Sequence, residues 1–540
     1  MRFFVFFVGL LAGLLVLSPL GSVHAASQPK TKDDFRLSRR CVACHDGLKT
    51  PQGEDISIGL QWNASVMANA GRDPYWQASL RRETIDHAPA SLEIQDECST
   101  CHMPMQHLID RLANRKTEVF QYLPLNRKHD HNLQAADGVS CSVCHQVEAT
   151  GLGTRQTFSG NVDVAVPKDK KNRPEYGPFL VDAGHQQIMR TSTAGFVPTQ
   201  AAHIRDSALC GSCHTLYTMA RTADGKPIGK FPEQMPYLEW LHSDYPNRYT
   251  CQDCHMPGVA EPVKIAAVYG PERVGMHRHV FVGGNILLEQ LLNEHRSELG
   301  TKATVREMDD GYQRTKKFLE TEAASVSIGG IAEMSRGVDF QVIVENRTGH
   351  KLPTAYPSRR AWLHVTVRDG NGRIVFESGA LRPDGSIVGN VNDEDPLKYE
   401  PHYAVITRPD EVEIYEPILK DPAGHVTTGI IAAAGYLKDN RILPTGFDKK
   451  TAQPDIAVIG KAADDPGFVG GSSTIRYVVN TGGAKGPFRV KAELWYQPIG
   501  FRWAHNLGFY KAMETQRMVR YFDEDASRSA VRLAYAEATR

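Results

Sequence analysis

Ten cysteines constrain this chain more than any other feature of its sequence. Every one of them belongs to a pair with the spacing C-x-x-C, and a histidine follows each pair directly. The five copies lie at residues 41–45, 98–102, 141–145, 210–214 and 251–255. No cysteine is left over, so one kind of chemistry should explain all ten.

C-x-x-C-H is the attachment signature of c-type haem. Two thiols three positions apart can add to the two vinyl groups of one haem, and the histidine that follows takes one axial position on its iron. Zinc sites do not need a histidine after every second cysteine. A thioredoxin-like motif would occur once, and disulfides at this spacing would close five very small loops with little gain in stability.

The sequence therefore predicts five covalent haem c groups. The predicted thioether ligands are Cys41, Cys44, Cys98, Cys101, Cys141, Cys144, Cys210, Cys213, Cys251 and Cys254. The predicted proximal iron ligands are His45, His102, His145, His214 and His255.

The first 25 residues have the features of a secretory signal peptide. One arginine precedes an apolar run, and the segment ends in Val-His-Ala, which predicts cleavage after Ala25. An uncleaved anchor is the alternative. Export agrees with haem c chemistry, so we expect a periplasmic or secreted protein. The 62 basic and 62 acidic residues balance, which argues against a basic nucleic-acid binder.

The remaining chain divides by its residue pattern. Residues 26–325 carry all five motifs and few alternating segments, which predicts a pentahaem cytochrome c domain of loops and short helices wrapped around the haems. Within it, apolar residues at helical spacing predict helices at 285–295 and 304–322.

Residues 326–500 contain no cysteine and predict an antiparallel β-sandwich of immunoglobulin-like shape. The seven predicted strands are 339–345, 361–368, 373–377, 403–407, 411–418, 474–479 and 488–496. Residues 501–540 predict a C-terminal helical tail. The predicted fold class is therefore α+β and multidomain: a multihaem region, an antiparallel β-sandwich and a C-terminal helix.

Each iron has a second axial position, which histidine or methionine fills in electron carriers. Besides the motif histidines and His24, fifteen histidines remain, so ligands are not scarce. We expect His279 to be a ligand, and prefer it to His277 because both share one face of an extended segment. The other candidates are His203, His185, His131 and Met67, with His107 and His129 as further histidines near the motifs. For each of them, an exposed or packed side chain without iron is the competing interpretation.

His350 is a separate candidate because of the loop that carries it. It follows Gly349, and Pro353 and Pro357 stiffen the segment between two predicted strands. We expect this loop to deliver His350 as an iron ligand across the boundary between the two regions. A tight loop with an exposed histidine is the alternative.

The chain resembles the multihaem cytochrome c superfamily, in particular exported members related to the tetrahaem electron carriers of hydroxylamine oxidation. The resemblance rests on residues 137–145, 209–214, 231–234, 237–240, 251–257, 349–354 and 438–444. It implies electron transport through mostly bis-histidine haems. Ammonia-forming nitrite reductases also carry five haems, but their active haem has a C-x-x-C-K motif, which this chain lacks.

The predicted function is a multihaem c-type cytochrome that carries electrons in the periplasm or outside the cell. Its expected partners are other cytochromes or a quinol-oxidising membrane complex, with no nucleic acid, and self-assembly through the β-sandwich is a further expectation. One alternative is an oxidoreductase with one open haem that acts on small nitrogen or sulfur compounds. The other is a polymerising extracellular cytochrome.

Overall fold

The computed structural model describes residue 1 and residues 35–126, 132–166, 169 and 171–540. Apart from Met1, the predicted signal peptide at residues 1–25 lies outside the described residues. Within the described part, no helix combines the length and the apolar character needed to cross a membrane.

Helices joined by loops dominate the described chain up to residue 323. They are α1 Arg39–His45, α2 Ile58–Asn63, α3 Pro74–Asp86, α4 Ser91–His102, α5 Pro104–Leu112, α6 Cys141–Cys144, α7 Ala183–Thr193, α8 Ser207–Cys213, α9 Pro236–Leu241, α10 Cys251–His255, α11 Ile286–Glu294, α12 Arg296–Leu299 and α13 Val305–Glu322. Side chains cap several of them. The Asp73 carboxylate accepts the first free N–H groups of α3, and Thr304 and Glu307 form a capping box on α13.

Three small strand pairs lie among these helices. They are β1 Arg173–Gly177 with β2 Phe196–Gln200, β3 Leu216–Arg221 with β4 Pro227–Gln234, and β5 Val263–Lys264 with β6 Glu272–Arg273.

Strands dominate from residue 324 onward. They are β7 Ala324–Met334, β8 Gly337–Asn346, β9 Arg360–Arg368, β10 Ile374–Ser378, β11 Val405–Ile406, β12 Ile414–Tyr415, β13 Pro417–Lys420, β14 Val426–Thr427, β15 Gly435–Asp439, β16 Phe468–Val469, β17 Ser472–Asn480, β18 Arg489–Gln497 and β19 Val531–Thr539. The helices here are α14 Val391–Glu394, α15 Phe501–His505 and α16 Met513–Asp525. With both helices and sheets, the fold is α+β.

Two five-stranded sheets enclose the main core of this second region. One has the order β10-β9-β18-β19 with β12 beside β9, and the other has β11-β17-β8-β7 with β16 beside β17. Alternate residues of β8 and β17 are buried, so each strand turns one face inward. Phe340 and Tyr477 are register partners whose rings stack at 5.2 Å, and they share a core with Val365 and Val490 of the other sheet.

The two regions of the chain also pack against each other. Helix α3 packs on α16, where Arg81 and Glu514 form an ion pair at 2.9 Å. Met235 and Leu238, from the first region, belong to the same apolar cluster as Phe340. The β-rich region is therefore fixed against the part of the chain that carries the cysteine motifs.

The sequence-based elements agree with the structure in the two long helices and in most of the strands. The prediction of a tail that is helical to its end was wrong, because Val531–Thr539 pairs with β18 as a sheet strand. The predicted strand at 403–407 is only Val405–Ile406, and 411–418 is split between β12 and β13. The strand β7 and the β3–β4 hairpin were not predicted.

Candidate cofactor-binding site

Each of the five motifs lies on a short helix or at the end of one. The pairs of cysteines fall on α1, α4, α6, α8 and α10. Residues three and four apart are neighbours on one face of a helix. The two thiols and the imidazole of each motif are therefore presented to the same side.

All five motifs face one shared cavity. Its volume is about 1490 Å³, and its lining includes all ten cysteines and all five motif histidines. Drug-sized ligand pockets are typically about 300–1,000 Å³. A space of this size, with ten thiols and five imidazoles in its wall, fits several large flat groups better than one small ligand.

Thiols from different motifs meet inside this cavity. The thiols of Cys41 and Cys141, of Cys101 and Cys213, and of Cys210 and Cys251 are close enough to shift each other's pKa. The first motif is therefore next to the third, and the fourth is next to both the second and the fifth.

Backbone carbonyl groups orient four of the five motif imidazoles through Nδ1. The contacts run from His45 to Ile265 (2.6 Å), from His102 to Ala70 (3.0 Å), from His145 to Tyr176 (2.5 Å) and from His255 to Val282 (2.6 Å). When Nδ1–H donates to a carbonyl, Nε2 keeps its lone pair, which is the arrangement of a metal-binding histidine. The donor set thus fits an iron porphyrin.

Two motif imidazoles face a second imidazole at a distance that would accommodate one metal ion between them. The His145 and His279 ring centroids are 6.5 Å apart with 17° between the ring planes, and the His255 and His350 centroids are 6.2 Å apart with 15°. With metal–nitrogen bonds of about 2 Å, two imidazoles on opposite sides of one ion have centroids about 6 Å apart. The structure thus brings two of the sequence candidates, His279 and His350, opposite motif histidines.

Burial keeps these imidazoles neutral. It lowers the pKa of His279 to about 3, with help from the nearby His145, and that of His350 to about 4. Burial also lowers the pKa of His102 and His214 to about 4. Neutral imidazole is the form that binds metals.

The other ligand candidates are not placed opposite a motif imidazole in the described chain. His185 is half-exposed, with Nδ1 at 2.5 Å from Asp182 and Nε2 at 2.6 Å from the Tyr269 carbonyl oxygen. His203 directs Nε2 to the carbonyl oxygen of Val147 at 2.9 Å.

Met67 lines the cavity, as do His185 and His107. His107 contacts Ser99 through Nδ1 at 3.1 Å, whereas the Nδ1 of His277 lies 2.7 Å from the Met256 carbonyl oxygen. His131 and His129 lie outside the described residues.

The second motif has surroundings that the sequence did not predict. The Trp76 ring stacks on His102 at 4.3 Å, and no described imidazole faces His102 from the other side of the cavity at a distance like those above. Glu83, Glu97 and Glu233 line the cavity nearby and act electrostatically on the thiol of Cys98. Burial raises the pKa of Glu233 to about 7.

These features could not be found in the sequence because their signal is not local. A backbone carbonyl acceptor such as that of Ile265 carries no residue preference, and Glu83 and Glu233 are 150 positions apart, joined only by the fold.

Comparisons with known proteins point to the fold. No protein-family model matches the chain, and no curated protein matches it. A solved structure, the crystal structure of a penta-heme cytochrome c552 from Thermochromatium tepidum, is similar with a TM-score of 0.52 and 15% sequence identity. The match covers 94% of this chain and 100% of that one. The chain therefore has a fold like that of a multihaem cytochrome.

Proposed function

We propose that this protein is a multihaem c-type cytochrome that carries electrons through five covalently bound haems. The observation that carries the proposal is the single cavity whose wall contains both thiols and the histidine of every C-x-x-C-H motif. Fifteen side chains of the correct type converge there from five separate helices. Zinc or disulfide chemistry would not need five imidazoles in the same wall.

The roles of the residues follow from their positions. The ten cysteine thiols would hold the porphyrins by thioether bonds, and His45, His102, His145, His214 and His255 would bind the irons from one side. His279 and His350 would take the second axial positions opposite His145 and His255. When bound, haem c supplies an iron that cycles between ferric and ferrous and so passes on single electrons.

The contacts between thiols support an order for the electron path. The first motif neighbours the third, and the fourth motif contacts both the second and the fifth. Cys144 of the third motif also acts electrostatically on Cys210 of the fourth. We propose a path that runs from the first motif through the third and fourth to the fifth, with the second as a branch at the fourth.

Location and partners are also proposals. The signal peptide pattern before residue 26 and the extracytoplasmic chemistry of haem c support a periplasmic or secreted protein. Its electron partners would be other cytochromes or a quinol-oxidising membrane complex, and self-assembly would use the β-rich region.

Spectroscopy of single-ligand variants tests the proposed ligands. Replacing His279→Ala or His350→Ala should convert one iron in five from low-spin to high-spin in the oxidised protein, visible by EPR and by ultraviolet–visible absorption. His425→Ala is the control, because that histidine is 69% exposed on the surface. Unchanged spectra for both ligand variants would contradict the proposed ligands.

An oxidoreductase with an open haem at the second motif is a second candidate function. The carboxyl groups of Glu83, Glu97 and Glu233 beside Cys98 favour it, because buried acids with raised pKa values can supply protons to a bound oxyanion. Cyanide or nitrite should then shift the spectrum of one haem in the native protein. If neither cyanide nor nitrite changed the spectrum of the native protein, this candidate function would be excluded.

A further inference from the structure

We propose that Glu239 is a positioning residue that holds the His350 imidazole opposite His255. The proposal rests on the proposed role of His350 as an iron ligand. Glu239 belongs to α9 in the region of the cysteine motifs, whereas His350 is carried by the loop between β8 and β9. A contact between them would fix the loop from the side of the region that carries the cysteine motifs.

The Glu239 carboxylate holds the residue directly after His350. Its side chain is fully buried, and Oε2 accepts hydrogen bonds from the backbone N–H of Lys351 at 3.1 Å and from the Thr354 hydroxyl at 2.5 Å. Oε1 lies 3.0 Å from Nη1 of Arg441. One carboxylate from α9 thus ties down two points of the loop and is itself held by a cation of the β-rich region.

Two side chains at the end of β8 and just after it hold the peptide bond between His350 and Lys351 from the opposite direction. Asn346 Nδ2 donates to the carbonyl oxygen of His350 at 2.8 Å, and the Thr348 hydroxyl donates to it at 2.9 Å. This carbonyl and the N–H of Lys351 belong to one peptide bond, so that bond is fixed at both ends. The Lys351 carbonyl oxygen then lies 2.9 Å from His350 Nδ1, which leaves Nε2 for a metal.

Four buried charged side chains of alternating sign fix the position of the loop. Lys351 Nζ pairs with Asp439 at 2.7 Å, Asp439 pairs with Arg441 at 2.7 Å, and Arg441 pairs with Glu239. All four side chains are buried. Removing one member of such a network leaves an uncompensated buried charge. The loop therefore has one favoured position, and that position faces His350 toward His255.

A positioning role predicts a change in iron ligation, which a merely stabilising role would not cause. The test therefore measures the spin state of the iron. In the holoprotein, Glu239→Ala should produce high-spin ferric iron, up to one iron in five, as is expected of His350→Ala. Thr354→Val removes one donor to Glu239 and should give a smaller high-spin fraction. Glu239→Gln keeps an acceptor oxygen for the Lys351 N–H but loses the charge that pairs with Arg441, so it should be less stable than the native protein and give a smaller high-spin fraction than Glu239→Ala.

Asp393→Asn is the matched control. It weakens another buried ion pair, with Arg360 at 2.7 Å, that makes no hydrogen bond to His350 or Lys351. This variant should lose thermal stability and keep every haem low-spin.

The outcomes separate the two proposals. If His350→Ala yields high-spin iron while Glu239→Ala and Thr354→Val stay low-spin, the positioning role is overturned and the ligand stands. If His350→Ala itself leaves all irons low-spin, the ligand assignment falls and the positioning role falls with it. Should Glu239→Ala yield no holoprotein, Thr354→Val decides: an unchanged spectrum overturns the proposal.

Discussion

The two regions of this chain build their interiors in different ways. From residue 324 onward, two sheets enclose a continuous core of aliphatic and aromatic side chains such as Val342, Phe340 and Ile475. Before residue 324, the elements form only small apolar clusters and provide most of the wall of a cavity of about 1490 Å³ that contains cysteines and histidines. The core of the second region consists mainly of its own side chains. The first region instead has a cavity with room for groups that would be attached to its cysteines.

The largest expected effect concerns protein made without haem attachment. Because the cavity would then have no contents, the residues around it should lose their packing, while the sheets should keep theirs. Hydrogen exchange measured by mass spectrometry should show fast exchange over residues 35–323 and slow exchange in β8 and β17. Equal protection of the two regions would contradict the difference between them.

A large effect of a different kind is expected inside the β-rich region. Trp362 is fully buried, and its indole N–H donates to the Gly379 carbonyl oxygen at 2.8 Å. Trp362→Ala should lower the free energy of unfolding by about 3–5 kcal/mol in denaturant titrations. The haem spectra of the folded variant should stay unchanged, and a changed spectrum would mean that the packing around Trp362 also supports the cavity that carries the cysteine motifs.

Different physical reasons explain what the sequence could predict in each region. The alternation in β8 and β17 reflects burial of one sheet face. Most residues of β9 and β18 are buried, and their runs of apolar and β-branched residues indicate strands of that kind. The strand β19 follows α16 closely, and only Val531 and Leu533 of its nine residues are buried, so its apolar alternation is short. Its pairing with β18 is a long-range contact that no local pattern reports.

At the candidate site, the C-x-x-C-H spacing was sufficient to find fifteen residues. The histidines that face the motif histidines were harder to predict, because a residue far away in sequence reaches a motif only through the fold. His350 could be singled out because its loop is constrained by glycine and proline, and it does face His255. His203 has no comparable signal, and its Nε2 turns to a backbone carbonyl group instead.

A moderate, pH-dependent effect should also be confined to the β-rich region. Burial opposes the charged form of His402, but Glu413 at 2.6 Å and Asp465 at 2.8 Å outweigh it and raise its pKa above the ordinary 6.5. The stabilisation is therefore complete below about pH 6.5 and is lost as the pH rises through the raised pKa. Urea titrations should show stability falling with rising pH in this range. His402→Gln should flatten this dependence, and an unchanged slope would contradict the assignment.

The smallest effect is expected at the surface of the sheets. Arg476 of β17 and Asp339 of β8 form an ion pair that is largely exposed, with 53% of the Arg476 side chain accessible. Arg476→Ala should leave the free energy of unfolding almost unchanged, because water and salt screen such pairs. A loss as large as that of Trp362→Ala would show that the apolar core is not the main support of this region.

The mass of the mature protein tests most directly that the cavity is built for covalent haem. Protein matured in a host that attaches haem c should carry five haem groups on the chain, and the mass should persist after denaturation and acid extraction. Peptides that contain Cys41, Cys98, Cys141, Cys210 and Cys251 should each carry one group. A colourless protein with the mass of the bare polypeptide would contradict the proposed function.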